Sequence, residues 1–519
     1  MNTRSSFWTR IEPWLFWIIT TIHVVPLFVS KWFITLDGPV HLYGARLVRD
    51  LVLNEPFISK FFHLNHYPDP YWFGQAVGAA LMTFIPAWVV EKLVWGSSII
   101  GLAWSFRFFI GTIAPERKWA SLLIMPFLLA HTIWMGYQNF CLSFPLMFIA
   151  ITLVMRGAQG SCIRIPALAM VLLALYFAHL STFFVTIAVI GSVIVWLAIV
   201  KDGADPKQLR RVVVALGVSA ILPLVFTVLY FSHVPPAEVA STRIELMELV
   251  SMIWSGRVFN GFGLVGEHVL CAGIALTFCL VGISAMIFRI NQFGRQILRS
   301  DSWLLISIVG LVAYFILPDA MAGGFNTSAR LLLFAMLFLC CWLVISPTPN
   351  IVLGVIIVIV VPLDLYHLKI QSEGSAALGK ECNELLILSP TLRNGMVLLP
   401  LNYSSNWLHS NFSNYMGVLD EHVVVMDNFI ANTQFGPVQW NTGMSPLGHV
   451  GDHTVSNDPC VRLNAYSPGT KEQVNAVLTW KREHAQVDSC YADVDRQLDI
   501  YFVESASSPF RDAVLYLRK

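Results

Sequence analysis

The sequence predicts an α-helical polytopic membrane protein that ends in a C-terminal α/β domain. Three observations carry that reading. Apolar runs approaching the roughly 20 residues that span a bilayer recur throughout the first part of the chain. Charged residues are only 13% of the 519, where soluble domains carry roughly 25%, and mean hydropathy is +0.65. Beyond residue 366 the long apolar runs stop, and short strand-like stretches alternate with polar sequence.

In order, the candidate spans lie near 11–30, 75–95, 97–113, 119–135, 138–156, 165–180, 182–200, 211–231, 265–288, 302–318, 330–346 and 350–366. Arg4 and Arg10 precede the first run. Its length, and the lack of a small-residue cleavage site before Lys31, read as a retained anchor rather than a signal peptide. Basic residues set the orientation: Arg117 and Lys118; Arg156 and Arg164; Lys201, Lys207, Arg210 and Arg211; Arg289, Arg295 and Arg299. These clusters are two runs apart, so they share one side, the cytoplasm, together with the N-terminus. An even number of crossings must then separate residues 10 and 117, yet three runs lie between them. One of 75–95 and 97–113 is therefore interfacial, re-entrant, or fused with the other into one long helix. About eleven crossings result, or twelve to thirteen if one basic loop breaks the rule.

This topology makes 1–366 a transmembrane domain and 367–519 a soluble extracytoplasmic α/β domain. Residues 367–519 hold 11 Lys+Arg against 16 Asp+Glu, a balance of −5, while the whole chain is +1. Such asymmetry fits basic loops in the cytoplasm and a tail outside. Facing outward with the tail are 31–74, 232–262, 318–329 and the corners "GYQNF" (136–140) and "AHLS" (178–181). In the tail, "MVLLPL" (396–401), "HVVVMD" (422–427), "QLDIYFVE" (497–504) and "AVLYLRK" (513–519) read as strands. "TKEQVNAVLTWKREHA" (470–485) has helical apolar spacing, with Thr470 as N-cap and Glu472 in the first turn.

Of nine cysteines, Cys141, Cys162, Cys271, Cys279, Cys340 and Cys341 lie in or beside apolar runs, where a thiol behaves as a small hydrophobe. Cys382, Cys460 and Cys490 fall in the tail, where two of the three could pair. No CxxC, zinc spacing, Walker loop, dinucleotide glycine fingerprint or GxSxG elbow occurs, and no basic stripe suggests nucleic acid.

The outer loop carries the first candidate site. "ITLDGPVHLYGARLVRD" (34–50) sets Asp37 and a Gly-Pro turn ahead of an amphipathic helix with Val40, Tyr43, Leu47 and Leu51 on one face, suited to the membrane surface. Capping that helix is the simplest role for Asp37. This stretch resembles the GT-C superfamily of membrane glycosyltransferases, bacterial members especially. Three others add to the resemblance: "HTIWMGYQNFCLSFPL" (131–146), "LPDAMAGGFNTSARLLLF" (317–334) and "VVVMDNFIANTQFGPVQW" (423–440).

The resemblance implies a polyprenyl-phosphate-linked sugar as donor and a glycan, lipid or protein acceptor. It also implies a bacterial inner membrane, with chemistry on the periplasmic face and inversion at the anomeric carbon. Carried over, the general base is Asp37. Arg330, at the outer mouth of a span after Gly323-Gly324, suits the lipid phosphate, with Arg257 and Arg243 as further candidates. His41, Tyr71, Trp72, Asn139 and Asp319 are supporting or substrate-contact residues, and Trp407 and Tyr415 offer rings for sugar stacking. The region of Asp427 and Asn428 would shape the acceptor side. No cofactor is required by the sequence, but a divalent metal is compatible with it: His63, His66 and Asp69 share the first outer loop, and Glu267 and His268 begin a span on the same side. Two rival readings are a transporter or flippase for a lipid-linked glycan and an inactive scaffold of a cell-envelope complex. A transporter calls for ionisable residues in mid-span, a place that only Arg107 fills.

Overall fold

The computed structural model describes residues 3–200, 204–233, 242–320, 325–419, 422–432, 436–444, 463, 472–484 and 489–519. In chain order the helices are α1 (Thr3–Ile22), α2 (Gly38–Val52), α3 (Pro56–Phe61), α4 (Phe73–Leu81), α5 (Ala87–Ile113), α6 (His131–Trp134), α7 (Gln138–Ala158) and α8 (Ile165–Ala178). They continue with α9 (Leu180–Ile199), α10 (Pro206–His233), α11 (Leu246–Trp254), α12 (Val265–Phe293), α13 (Asp301–Ile316), α14 (Thr327–Ile345), α15 (Asn350–Leu386) and α16 (Ser489–Tyr501). The strands are β1 (Phe62–Leu64), β2 (Val397–Asn402), β3 (Val424–Val425), β4 (Val438–Trp440), β5 (Ala476–Trp480), β6 (Phe502–Ser507) and β7 (Ala513–Arg518).

Two compact units emerge from the contacts. One comprises Met1–Pro26, Gly96–Trp134 and Phe140–Glu373; the other comprises Leu27–Trp95, Met135–Asn139 and Gly374–Lys519.

The first unit is helical. Phe106 packs edge-on to Phe148 at 5.4 Å, Phe109 against Trp303 at 5.0 Å, and Phe140 against Phe334 at 5.6 Å. On α10, Val214, Val218, Ile221, Leu222, Val225 and Val228 are exposed; α12 leaves Val269, Leu276, Leu280, Ile283, Ile287 and Ile290 exposed. Apolar faces of this extent are not stable in water but are natural against lipid. Seven helices among the described residues are long and apolar enough to cross a membrane. Shorter apolar helices are α8 and α13. The chain is thus membrane-embedded and mainly helical, with a small C-terminal sheet region.

Several expected runs take other forms. The runs 75–95 and 97–113 do not form one helix each: α4 ends at Leu81, and α5 continues unbroken from Ala87 to Ile113, one long helix across both runs, as one of the expected alternatives had it. Residues Pro115–Phe127 wind as 3-10 helix before the single turn of α6, so 119–135 contains no long α-helix. Pro126, inside this stretch, lacks the N–H that an α-helix would use there, which disfavours a continuous α-helix. Arg107, the mid-span charge, is paired: its guanidinium meets Glu12 at 2.5 and 2.7 Å and Ser121 Oγ at 3.0 Å.

The second unit is α/β. Its main sheet runs β3-β2-β5-β7-β6, with β2 parallel to β3 and β5, and β7 antiparallel to β5 and β6. A second, two-stranded sheet joins the first loop to the tail: β1 pairs antiparallel with β4, Phe62 opposite Trp440.

Three expectations need correction here. Residues 476–480 are strand β5, not helix; Thr470 lies outside the described residues. All five residues of β5 are buried, so the strand shows a continuous apolar run and no alternation. Residues 497–501 close α16, and the strand begins only at Phe502. Finally, α2 is not laid on a lipid surface. Val40, Tyr43 and Leu47 of its apolar face are buried, and so are its charged Arg46 and Asp50, because Asp50 takes Arg46 at 2.9 Å, Arg49 at 2.6 Å and His422 at 3.2 Å. Cys382 is a buried free thiol, and Cys460 lies outside the described residues.

Candidate active site

Asp37 stands immediately before α2, half-buried, with φ −95° and ψ −3°. Pro39 near the helix start favours helix initiation there. The carboxylate makes no capping bond to α2; instead Thr35 Oγ1 accepts the Gly38 N–H at 3.1 Å. Two other chain segments pin the aspartate. Its backbone N–H donates to Met135 O at 3.3 Å. From the tail, buried Asn411 donates through Nδ2 to Leu36 O at 2.8 Å and to Asp37 Oδ1 at 3.5 Å.

The Met135 contact requires a glycine that the sequence reading did not single out. Gly136 has φ +77°, and a Cβ there would stand 2.4 Å from Asp37 N and 2.7 Å from Gly38 N. Only glycine combines that backbone conformation with such an approach. The Gly-aromatic spelling of the 136–140 corner was the available signal.

Five residues, His41, Tyr71, Gly74, Gln75 and Asn139, form a fixed relay. Asn139 Oδ1 accepts the Gly74 N–H at 2.7 Å, and its Nδ2 donates to Tyr71 O at 2.7 Å and to Gln75 Oε1 at 3.0 Å. Because both ends of Asn139 bind backbone groups, its amide orientation is determined. Gln75 must then present Nε2 to His41 Nδ1, 2.8 Å away. His41 accepts at Nδ1 and carries its proton on Nε2. Burial lowers its pKa to about 4, so the ring is neutral near pH 7. Tyr71 holds its carbonyl in place from a left-handed backbone, φ 74°. The Trp72 indole N–H is buried with no hydrogen bond among the described residues.

Tail residues behind α2 are largely buried. Tyr43 Oη donates to Val423 O at 2.8 Å and accepts from Val425 N at 3.2 Å. Asp427 accepts from Ser413 Oγ at 2.6 Å and Asn414 Nδ2 at 3.2 Å, and burial pushes its pKa up to about 7. Asn428 is buried too. Tyr415 offers no ring for sugar stacking: it is fully buried, its hydroxyl on Glu91 Oε1 at 2.6 Å.

The cation candidates lie in the helical unit. Arg330 is in the first turn of α14, its guanidinium 5.5 Å from the centre of the Phe140 ring. Asp319 caps that helix, accepting the Ser328 N–H at 3.0 Å. Gly323 and Gly324 lie outside the described residues. Arg257 is half-buried and Arg243 exposed.

The proposed metal ligands fall into separate settings. His63 shares a bond with Asn441 Oδ1 at 2.9 Å and stacks on His66 at 6.0 Å. Asp69 accepts from Asn65 Nδ2 at 2.9 Å, and His268 Nδ1 sits 2.6 Å from Asn260 Nδ2. Glu267 instead joins Cys271 and His367, whose donor atoms lie together.

Fold and candidate site together define a membrane-embedded, mainly helical protein with a small C-terminal sheet region. Solved structures carry the comparison. ArnT from Cupriavidus metallidurans in the apo state matches with TM-score 0.50 and 12% identity, over 99% of this chain and 98% of that one. The same protein bound to undecaprenyl phosphate gives TM-score 0.52 and 11% identity, over 98% of each chain. The arabinofuranosyltransferase AftD from Mycobacteria gives TM-score 0.51 and 12% identity over 97% of this chain, which spans only 40% of the length of AftD. At these identities the shared property is the fold. No family model matches the chain, and no curated protein matches it.

Proposed function

We propose that this chain is a membrane glycosyltransferase that moves a sugar from a polyprenyl-phosphate-linked donor to an acceptor hydroxyl, with Asp37 as general base. The observation that carries the proposal is the treatment of Asp37. Segments from the first loop, the 135–139 corner and the tail converge on it, although its carboxylate makes no capping bond to α2. The fold shared with an arabinofuranosyltransferase and with a protein solved bound to undecaprenyl phosphate supports this reaction class and donor.

In the reaction, an Asp37 oxygen takes the proton of the acceptor hydroxyl as that oxygen bonds the anomeric carbon. The bond from that carbon to the lipid phosphate breaks, and the phosphate departs with the electron pair. Attack opposite the leaving group inverts the anomeric centre. Arg330 is assigned to the phosphate, because a guanidinium meets two of its oxygens at once. Neutral His41, with Nε2–H available as donor, is assigned to a sugar or phosphate oxygen. The reaction is assigned to the periplasmic face of a bacterial inner membrane.

The test compares a deletion strain, the same strain carrying the wild-type gene, and one carrying Asp37→Asn at equal expression, by mass spectrometry of envelope glycolipids, polysaccharides and glycoproteins. A sugar increment lost on deletion should return with the wild type and not with the variant. Full restoration by Asp37→Asn would remove Asp37 from the chemistry.

A further inference from the structure

We propose that Glu267, Cys271 and His367 bind one divalent cation of the zinc class, a site separate from Asp37 and independent of the glycosyltransferase reading. Glu267 and Cys271 are four residues apart on α12 and so share one helix face; His367 meets them from α15. Their relative exposures are 0%, 0% and 3%. His367 Nε2 is 3.0 Å from Glu267 Oε1 and 3.6 Å from Cys271 Sγ, and the three donor atoms lie within 4.8 Å of one another. Zinc bonds of roughly 2.0–2.3 Å set tetrahedral donors roughly 3.5 Å apart; the two His367 separations lie within about half an ångström of that, and the Glu267–Cys271 pair, within 4.8 Å, closes by about 1 Å at most through side-chain rotation.

Charge and donor type point the same way. A thiolate and a carboxylate with a neutral imidazole cancel the charge of a divalent ion, which makes a fully buried site affordable. Sulfur and imidazole donors favour zinc over magnesium or calcium.

The carboxylate is also oriented in advance. Glu267 Oε2 accepts N–H groups from Phe262 and Gly263 at 2.8 Å each and from Leu264 at 3.4 Å, and Oε1 accepts Gly261 at 2.5 Å. Asn260 Oδ1 holds the same loop by accepting the Gly263 N–H at 2.9 Å. Such outer contacts set a ligand's direction before metal arrives. On binding, the Cys271 thiol gives up its proton, and His367 keeps one proton, on Nδ1. Three protein ligands leave one tetrahedral position for an outside donor.

The full-length protein, purified without chelators into lipid nanodiscs and incubated with zinc, should retain about one zinc per chain by elemental mass spectrometry. Cys271→Ser and His367→Ala should each lower retained zinc at least tenfold. Cys279→Ser, two turns further along α12, should leave it unchanged. The cobalt-loaded wild type should show a thiolate-to-metal absorption band that Cys271→Ser lacks, a readout independent of activity. Should His367→Ala elute as aggregate, the isosteric Cys271→Ser decides alone. Wild type that holds no more zinc than Cys271→Ser, or a cobalt spectrum without the thiolate band, overturns the site and leaves a hydrogen-bonded cluster.

Discussion

Asp37 and Asp427 are acids in the same compact unit with opposite settings. Asp37 is half-buried, whereas Asp427 is sealed against Ser413 and Asn414 with its pKa raised to about 7. That second value makes stability depend on pH. A folded-state pKa above the unfolded value of about 3.9 means that the native state binds the proton more tightly. The contribution is complete below about pH 4 and is lost as pH rises through 7. Three pKa units correspond to about 4 kcal/mol at most. Wild type should therefore melt lower at pH 8 than at pH 5, and Asp427→Asn should flatten that slope. Thermal unfolding in nanodiscs at several pH values measures it; equal slopes in the two proteins would mean that Asp427 does not titrate in this range. The place of Asp37 was legible because a carboxylate just after an apolar run is unusual. Asn411, on the far side of the chain, carried no such mark: its role depends on a 374-residue separation that no local pattern encodes.

At the scale of elements, α2 is positioned by a neighbour that leaves no room. Gly136 touches the Asp37–Gly38 peptide, so Gly136→Ala pushes a methyl carbon to 2.4 Å from Asp37 N. The chain must yield there, and a displacement near 1 Å of a reacting group can cost about 100-fold in rate. The expected result is a turnover lower by about that factor in a protein that still elutes as a single species and still binds donor. A variant of wild-type turnover would show that the corner does not hold Asp37 in a position that turnover depends on. The helices of the membrane part were readable because apolar length is a local signal. The tail was read less well. In "VNAVLTW" each residue of β5 is buried between β2 and β7, so neither face alternates, and the apolar spacing imitates a helix. The amphipathic pattern of α2 was correctly seen, yet the partner of its charged face is His422 rather than water or lipid headgroups.

For the whole molecule, division by composition and division by contact differ in kind. Composition separates 1–366 from 367–519, while contacts group the tail with the first loop and the 135–139 corner. The link is made of backbone bonds as well as side chains. β1 pairs with β4, Asn411 holds Leu36, and Tyr43 bridges Val423 and Val425. Gly417 lies so near the Tyr43 ring that a Cβ would stand 2.3 Å from it. Removed from α2, the tail would expose Tyr415, Val423 and Val425, all now fully or almost fully buried. Residues 374–519 expressed alone contain every strand of the five-stranded sheet but lack α2 and β1. The isolated tail should therefore bind a hydrophobic dye and melt without a sharp transition, with β4 amides exchanging at least tenfold faster than in the full chain. A tail that unfolds cooperatively, with β4 as protected as in the intact protein, would show that it is an autonomous domain. Asp37 would then owe its placement to Met135 and the Gly136 corner, and substitutions of Asn411 would leave turnover unchanged.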